Sequence, residues 1–510
     1  MFYIGIDIGT TSTKAILYDE YGNIKSKSSV LYPIYSPRPN MREQDPEEIF
    51  NAVLKTLKEV NSEAKKLGEK VEFISFSSMM HSLICVDKEA TPLTNCIIWA
   101  DSRSSDYAEK FKENGIGLEV YKRTGTPCHS MSPLYKIMWL RDNETEIFNN
   151  TFKFISIKEY VIYKLFGEYL VDYSIASATG FFNIYDLKWD DEALNLCGID
   201  ESKLSTPHPT TYIVEGMLNQ YRKDLDFSED IKVVLGASDG CLANLGSNGI
   251  DFGTAVVSIG TSGAVRTVSD KPIIDDKGRT FSYILTDNMY VSGGAINNGG
   301  ITYRWFRDTF CSEEIEIASK MNIEAYDLIN EMIENVKPGS EGLIFLPFLT
   351  GERAPYWDSN LRGSYIGISD MHKREHFARS TIEGICFAIN DVFEVLKETN
   401  QDIKCVYVNG GFTKSKCWVQ TLTDCMDTKI IISDNYESPT LGALMLGLLA
   451  IGRVKNLKEL DFMLEDGEVY LPTQNKHKYK ELFQIYQNAV SSMKNVLGDL
   501  AHFQNKLLEV

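Results

Sequence analysis

The fold of this chain is decided by the stretch Ile4-Gly5-Ile6-Asp7-Ile8-Gly9-Thr10-Thr11-Ser12-Thr13-Lys14. Its alternating isoleucines predict a strand with one buried face. Asp7 lies near the strand's end, and Gly9 permits a sharp turn into a run of threonine and serine. The amides and hydroxyls of such a turn suit the phosphates of a nucleotide, while the carboxylate suits Mg²⁺ or its waters. An ordinary polar hairpin turn is the alternative.

A second copy of the pattern lies half a chain later, in Val256-Val257-Ser258-Ile259-Gly260-Thr261-Ser262-Gly263-Ala264-Val265. It repeats the order of apolar strand, Gly-Thr-Ser turn and apolar strand. Two hairpins of one design indicate duplicated α/β domains that face each other across a central cleft. The first turn lacks the G-x-x-x-x-G-K-[ST] spacing of a P-loop, so the predicted phosphate site is of another kind.

The length of 510 residues predicts two large domains, because one core rarely grows to that size. We place their join near the glycines of 246–253, which predicts domains 1–246 and 247–510. A formal charge of −19 argues against nucleic acid or an anionic membrane as the main partner. It also requires that an anionic substrate be held by a locally positive site.

Targeting signals and metal-ligand patterns are not apparent in the sequence. The amino terminus lacks the basic region and cleavage site of a signal peptide, and the longest apolar run, Leu441 to Ile451, is too short for a membrane span. The ten cysteines are scattered, without C-x-x-C pairs or Cys/His ligand spacing. These features predict a cytoplasmic protein with reduced thiols. A homodimer is among the assembly states that the sequence leaves open.

Polar residues follow two predicted strands of the first half. Met80 and His81 come after the strand Val71–Phe76, at the end where α/β sheets bind ligands. A second strand ends in Trp99-Ala100-Asp101-Ser102-Arg103, whose ring, carboxylate and guanidinium suit a polyol. The alternatives are a packed loop histidine and an exposed ion pair.

Two further strand ends carry candidate functional residues. Asp239 follows the strand Lys232–Ala237 and is placed to accept a proton from a substrate hydroxyl, although Ser-Asp-Gly is also a plain turn. Gly410 and Gly411 open the turn to Ser415, where backbone could approach a nucleotide. The charged and aromatic loop Gly351–Trp357 is expected to be solvated. Amphipathic helices are predicted from Lys373 to Asn400 and from Lys476 to Leu497.

Two longer stretches resemble signatures of the FGGY family of carbohydrate kinases, within the superfamily of actin, hexokinase and the heat-shock chaperone ATPases. The first is Met131-Ser132-Pro133-Leu134-Tyr135-Lys136-Ile137-Met138-Trp139-Leu140-Arg141-Asp142-Asn143, and the second runs from Gly363 to Glu383. The resemblance covers essentially the whole chain. It implies two actin-like (ribonuclease H-like) ATPase domains and phosphoryl transfer from ATP with Mg²⁺.

The family likeness also implies a role for each matching residue. The residues assigned to ATP are Asp7, Thr10, Thr11, Ser12, Lys14, Gly260, Thr261, Gly300, Gly411 and Ser415. Asp7 would also hold Mg²⁺, and Asp239 would be the general base. Met80, His81 and Asp101 are assigned to the sugar.

Within the family, the stretches 76–82, 99–103 and 121–127 resemble those of gluconate kinases. Ser78-Met79-Met80-His81-Ser82 departs from the Gly-Gln-Met-His-Gly that xylulose kinases usually show. The likeness implies D-gluconate as the phosphoryl acceptor, with a xylulose-type ketose kinase or a non-catalytic sugar or nucleotide sensor as alternatives. Arg103 is the leading candidate to pair the carboxylate of gluconate, because its planar fork can contact both oxygens. The other candidates are Arg123, His129 and Lys136.

Overall fold

The fold is described from a computed structural model, which describes residues 1–228, 231–399, 402–433, 435 and 437–508. The strands, in chain order, are β1 (Phe2–Ile8), β2 (Ser12–Tyr18), β3 (Ile24–Leu31), β4 (Glu43–Gln44), β5 (Val71–Ser78), β6 (Ile84–Val86), β7 (Cys96–Ile97), β8 (Lys153–Ile155), β9 (Leu170–Asp172), β10 (Phe182–Asn183), β11 (Lys188–Trp189), β12 (Thr206–His208), β13 (Ile213–Val214), β14 (Lys232–Ser238), β15 (Thr254–Ile259), β16 (Gly263–Ser269), β17 (Phe281–Thr286), β18 (Met289–Ile296), β19 (Ile344–Leu346), β20 (Ser364–Ile366), β21 (Cys405–Asn409), β22 (Lys429–Ser433) and β23 (Asp466–Tyr470).

The helices, in chain order, are α1 (Pro46–Lys66), α2 (Ser105–Glu113), α3 (Ile116–Thr124), α4 (Pro133–Asn143), α5 (Thr145–Asn150), α6 (Ile157–Phe166), α7 (Tyr173–Ser177), α8 (Asp191–Cys197), α9 (Asn219–Asp224), α10 (Asp239–Leu245), α11 (Gly300–Phe310), α12 (Ser312–Met321), α13 (Ala325–Glu334), α14 (Arg374–Glu398), α15 (Lys416–Met426), α16 (Ser438–Ala450) and α17 (Lys476–Leu508). Among the described residues, no helix combines the length and the apolar character needed to cross a bilayer.

The chain divides into two compact units that interleave along the sequence. The first unit comprises Met1–Asp251, Val268–Ser292 and Glu437–Leu464, and the second comprises Phe252–Thr267, Gly293–Tyr436 and Glu465–Val510. The two-domain α/β architecture predicted from the sequence is confirmed. The contiguous domains 1–246 and 247–510 stay a prediction, since the compact units are defined by contacts.

The first unit is built on a six-stranded sheet with the order β13-β14-β5-β1-β2-β3. Strands β1 and β2 form the predicted antiparallel hairpin, and β1, β5 and β14 run parallel. Contrary to prediction, both faces of β1 are buried. Helix α1 covers the face of Ile4, Ile6 and Ile8, whereas α16 covers the face of Tyr3.

Helix α16 approaches both the first sheet and helix α10 so closely that glycine is required at each contact. A Cβ atom on Gly5 of β1 would overlap the backbone carbonyl oxygen of Thr440, and one on Gly442 would overlap that of Leu242. The helix belongs to the first unit although 185 residues separate Asp251 from Glu437. Its apolar residues thus complete a core that the amino-terminal strands begin.

A bulge bends β14, the strand that directly precedes Asp239. The register between β14 and β5 shifts between Val234 and Ala237, and Gly236 inside the shift has φ of +70°. A Cβ atom on Gly236 would overlap the backbone of Phe76. Bulges often re-aim side chains beside functional sites, and this one lies three residues before Asp239.

The second unit contains the second predicted hairpin, in the strand order β16-β15-β21-β22-β23. Strands β15 and β16 are antiparallel, while β21 runs parallel to β15 and to β22. The predicted helix Lys373 to Asn400 is observed as α14, and Asn400 lies outside the described residues. The predicted helix Lys476 to Leu497 is observed as α17, which continues to Leu508.

The loop Gly351–Trp357 is buried, so the expectation of a solvated loop is wrong. Glu352 is 1% exposed and accepts hydrogen bonds from the Asn297 amide and the Asn298 side chain. The guanidinium of Arg353 donates to Asn297 Oδ1 at 2.8 Å. The charged groups of this loop are therefore satisfied inside the second unit by residues about 55 positions earlier.

Candidate active site

The first Gly-Thr-Thr turn is held by side chains from three other segments. The Gly9 carbonyl accepts from the Tyr32 hydroxyl at 2.6 Å, and the Thr10 carbonyl accepts from Gln44 Nε2 at 2.7 Å. The Thr10 hydroxyl accepts from Trp99 Nε1 at 2.9 Å, which ties the predicted sugar-side aromatic to the turn. The turn is thus fixed in place before a ligand binds.

The remaining predicted residues of this turn lie on or beside β2. The Ser12 carbonyl accepts from the Gly9 amide at 3.0 Å, and the Thr11 carbonyl accepts from the Tyr32 amide at 3.3 Å. Lys14 pairs with Glu437 at 2.5 Å, in a partly exposed ion pair. The ammonium of Lys14 therefore shares its charge with a carboxylate at the start of α16.

Asp7 lies beside the end of β5. Its Oδ1 accepts from Ser77 Oγ at 2.7 Å, because the two residues are opposite each other in the parallel register. Burial raises the pKa of the Asp7 carboxyl. One carboxylate beside a turn of hydroxyls fits Mg²⁺, which in nucleotide sites is held by one or two carboxylates, substrate phosphates and water. Among the described residues, no group of three or more potential metal ligands is present.

Asp239 is the first residue of α10 and follows β14 directly. Ser238 caps this helix by accepting from the Cys241 amide, and Asp239 Oδ1 accepts from the Gly240 amide at 2.7 Å. Ser238 is opposite Ser78 of β5, so the ends of β14, β5 and β1 lie at one edge of the sheet. This edge brings Asp239, Asp7 and the loop of His81 into one region of the first unit.

His81 occupies a left-handed backbone conformation with φ of +63° and is 9% exposed. Its Nδ1 lies 2.7 Å from the Ala178 carbonyl oxygen, which can only accept, so Nδ1 carries a proton. In the neutral ring Nε2 is then an acceptor, and it lies 3.5 Å from the Tyr283 hydroxyl. The preceding residue, Met80, is partly buried against the apolar core.

Asp101 and Arg103 form a buried ion pair together with Glu43. Arg103 donates through Nε and Nη2 to the two oxygens of Asp101, and Nη2 also donates to Glu43 at 2.5 Å. The Asp101 oxygens accept two further bonds, from the amides of Arg42 and Arg103. The Arg103 side chain is 5% exposed. Two carboxylates already neutralise this guanidinium, which supports a structural function for it.

The three other candidate partners of a substrate carboxylate have protein partners. Arg123 pairs with Asp190 at 2.8 Å, and His129 Nδ1 accepts from the Met131 amide. Lys136 is fully buried, and its ammonium donates to three backbone carbonyl groups. The residue that pairs the carboxylate of an acidic substrate stays a prediction.

The five nucleotide-side residues predicted in the second half line one cavity of about 470 Å³ within the second unit. Its lining comprises Ile259, Gly260, Thr261, Gly300, Tyr303, Arg304, Glu324, Tyr326, Asp327, Asn330, Gly411, Phe412, Lys414, Ser415 and Trp418. Sequence reasoning found the glycines and hydroxyls of this set but missed its aromatic wall. The wall lies on α11, α13 and α15, where aromatic residues at helical spacing are indistinguishable from ordinary core.

The second turn forms one end of this cavity. The Gly260 carbonyl accepts from the Gly300 amide at 2.7 Å, and the Thr261 carbonyl accepts from the Ile301 amide at 3.0 Å. A Cβ atom on Gly300 would lie 2.6 Å from the Gly260 oxygen, so only glycine allows this approach. The start of α11 and the second turn are therefore fixed to each other through their backbones.

The opposite side of the cavity combines stacked rings with a capped helix. Tyr303 stacks on Tyr326 with ring centroids 5.4 Å apart and meets Trp418 edge-on at 5.1 Å. Ser415 caps α15 and donates to Asn330 Oδ1 at 3.1 Å. A cavity of this size with an aromatic wall and a few fixed polar groups suits a nucleotide.

Comparison with known families assigns both halves of the chain. Residues 2–246 match the N-terminal domain, and residues 255–451 the C-terminal domain, of the FGGY family of carbohydrate kinases.

Individual relatives are similar over nearly the whole chain. A gluconokinase from Bacillus subtilis (strain 168) is 43% identical over 509 residues, covering 99% of each chain. Crystal structures described as a gluconate kinase and as a ligand-bound xylulose kinase, both from Lactobacillus acidophilus, each superpose with a TM-score of 0.92 at 35% identity. Each alignment covers 98% of this chain and 99% of the other. The structural likeness therefore does not separate the two activities.

Proposed function

Because this chain belongs to the FGGY family of carbohydrate kinases, we propose that it transfers the γ-phosphoryl group of ATP to the terminal hydroxyl of D-gluconate, forming 6-phospho-D-gluconate. The observation that carries the choice of substrate is the 43% identity, over 99% of each chain, to the gluconokinase from Bacillus subtilis. The departure of Ser78–Ser82 from the usual xylulose kinase pattern supports the same choice. Sugar phosphorylation itself follows from the family.

Asp239 is the proposed general base. Its carboxylate lies at the strand edge where Asp7 and the His81 loop also meet, and the bulge at Gly236 sets the direction in which the helix start points. The base accepts the proton of the terminal hydroxyl while the oxygen attacks the phosphoryl group. General-base catalysis of this kind contributes about 10²–10⁴-fold.

The nucleotide is proposed to occupy the cavity of the second unit, with its base against the aromatic wall and its phosphates toward Gly260 and Thr261. Thr10, Thr11, Ser12 and Lys14 of the first turn are the proposed phosphate contacts of the first unit. Asp7 would hold Mg²⁺, which when bound neutralises charge on the phosphates. Phosphoryl transfer asks for alignment and charge stabilisation more than covalent work, which agrees with two rigid turns.

His81 is the proposed acceptor for a hydroxyl of the sugar acid. Its tautomer is set by Ala178, so Nε2 is an acceptor while the ring is neutral. A sugar hydroxyl that donates to Nε2 would have to replace the Tyr283 hydroxyl, which lies 3.5 Å from it. Asp101 is also assigned to the sugar, but both of its oxygens already accept hydrogen bonds from Arg42 and Arg103. A direct contact between Asp101 and the sugar would have to replace one of its four hydrogen bonds.

A panel of gluconate, xylulose, glycerol and ribulose tests the proposal. Release of ADP should depend on gluconate, and mass spectrometry of the product should show one added phosphoryl group. A preference for xylulose would overturn the substrate assignment and leave the kinase class intact. Nucleotide binding without ADP release on any of the four acceptors would support the sensor alternative.

A cytoplasmic location and a homodimeric assembly complete the proposal. All ten cysteines are free thiols, which supports a reducing compartment. Analytical ultracentrifugation of the purified chain would test the dimer.

A further inference from the structure

An ammonium group lies in the interior of the first unit, bonded to backbone rather than to a carboxylate. Lys136 on α4 is 0% exposed, and its Nζ donates to the carbonyl oxygens of His81 at 2.6 Å, Ile98 at 2.9 Å and Ile97 at 3.2 Å. An ammonium has three N–H donors, so these contacts use all of them. Burying a charge is costly, and three carbonyl partners in such a place indicate a specific function.

The three carbonyl groups belong to two separate segments. His81 lies in the loop after β5, whereas Ile97 ends β7 and Ile98 precedes Trp99 and Asp101. Both segments carry residues assigned to the sugar. Lys136 therefore joins the two sugar-side segments through one side chain.

The backbone of His81 needs such support. Its φ of +63° is uncommon for a residue other than glycine, although histidine adopts it more readily than most, and such conformations persist where the surroundings hold them. Lys136 bonds the carbonyl of this residue, while Ala178 bonds its ring at Nδ1. The backbone and the ring of His81 are thereby fixed at two separate points.

We propose that Lys136 is a positioning residue for the phosphoryl acceptor: its ammonium holds the His81 loop and the Ile97–Ile98 segment in one arrangement and so fixes the place of the His81 ring. The inference rests on the proposed function.

The surroundings of Lys136 act on its protonation in both directions. Asp101 favours the charged form of Lys136, Arg103 disfavours it, and Cys96 contributes a thiol. Burial is the largest influence and lowers the pKa of Lys136 to about 7. A neutral amine would turn a lone pair toward a carbonyl oxygen, so the three-carbonyl contact depends on the proton.

Lys136→Met removes the donors and keeps an unbranched side chain that is shorter by one heavy atom. We expect the KM for gluconate to rise at least tenfold, while the KM for ATP, whose base is proposed to lie in the cavity of the second unit, changes less than twofold. Lys153→Met is the matched control, because Lys153 is a partly buried lysine of the same unit that donates to the Leu204 carbonyl at 2.6 Å. Equal changes in both KM values, or an unchanged KM for gluconate, would overturn the proposal.

A second measurement requires neither turnover nor the correct substrate. Nitrogen NMR of ¹⁵N-histidine-labelled protein reports which ring nitrogen of His81 carries the proton, with His81→Gln used for assignment. The wild type should show the Nδ1–H form, and Lys136→Gln should show a mixture of tautomers. Glutamine is used here because its amide retains a donor, so that this variant can be measured if Lys136→Met does not fold. An unchanged His81 signal in Lys136→Gln would overturn the proposal. If the wild type does not phosphorylate gluconate but Lys136→Gln still shows a mixture of His81 tautomers, only the choice of substrate is overturned.

Discussion

The two Gly-Thr turns have nearly the same sequence and the same three-residue length, yet they are built into their units differently. The first turn, residues 9–11, is held by side chains of Tyr32, Gln44 and Trp99. The second turn, residues 260–262, is held by backbone amides of Gly300 and Ile301 at the start of α11. One turn sits in a polar scaffold, and the other is part of a cavity wall.

The two hairpins also differ in the charge of their side chains. Asp7, two residues before the first turn glycine, corresponds to Ser258 in the second hairpin, and Lys14 corresponds to Val265. The Ser258 hydroxyl is buried and has no hydrogen-bond partner among the described residues. The comparison teaches that the same hairpin design can present charged side chains in one unit and serve as an uncharged cavity wall in the other. Changes at Asp239 in the first unit should therefore alter catalysis, and changes at the cavity of the second unit should alter nucleotide affinity.

The largest effect is expected from Asp239→Asn, which keeps the shape of the side chain but removes the proton acceptor. The turnover number should fall about 10²–10⁴-fold while ATP binding, measured by calorimetry, stays as in the wild type. Asp191→Asn is the matched control, because Asp191 is also the first residue of a seven-residue helix. Near-normal turnover in Asp239→Asn would remove this residue from the role of base.

Arg103→Met tests the buried pair of the first unit. Removing the guanidinium leaves Asp101 and Glu43 without their cation, and breaking a buried pair costs about 3–5 kcal/mol of unfolding free energy. Urea denaturation should show this loss, and kcat/KM should fall equally for gluconate and for the best neutral acceptor. Arg141→Met, at an exposed pair with Asp142, should change stability little. A loss confined to gluconate would instead assign Arg103 to the substrate carboxylate.

Gly300→Ala tests the backbone contact of the second turn. The added methyl group would lie 2.6 Å from the Gly260 oxygen and would push the turn away from α11. A displacement of part of an ångström should raise the KM for ATP roughly tenfold and leave the KM for gluconate unchanged. Gly498→Ala, where the new methyl group meets nothing within 4 Å, is the control. A rise in the gluconate KM alone would contradict the proposed division between the units.

The smallest effect is expected at Asp19, which follows the first hairpin and accepts bonds from the amides of Tyr21 and Asn23. The side chains of Lys25 and Asn23 lower its pKa from 3.8 to about 2 despite partial burial. Because the pKa is lower in the folded state, the ionised carboxylate stabilises the fold at pH values above the pKa of the unfolded chain. This stabilisation is lost as the pH falls through about 2. After allowance for solvent screening, Asp19→Asn should cost about 1 kcal/mol at pH 7. Denaturation at pH 7 and pH 2 would check this, and an equal cost at both would exclude the carboxylate as its origin.

Local patterns predicted the elements that depend on local physics. The period of two in Ile4, Ile6 and Ile8 found β1. The strand ends of the first unit followed from the same patterns. The glycines of both turns were recognised because few other residues permit sharp turns.

Features that depend on distant partners were not predictable. Glu352 and Arg353 read as solvated charges, but Asn297 and Asn298 satisfy them inside the second unit. Arg103 was predicted to pair a substrate carboxylate, or to form an exposed ion pair, because the sequence does not show that Glu43, sixty positions earlier, lies beside it. For these groups the decisive information is which remote segment packs against them.

The placement of α16 has a consequence for how the protein is made. The helix covers β1 with the backbone of Thr440 against Gly5, but the ribosome synthesises it long after the strand. At 5–20 residues per second, roughly 10–40 s separate Asp251 from Glu437. During that interval the nascent amino-terminal sheet exposes the apolar face of Tyr3, Tyr18 and Phe73, to which chaperones or other nascent chains can bind. The first unit to begin folding on the ribosome is thus completed only when most of the second has been translated.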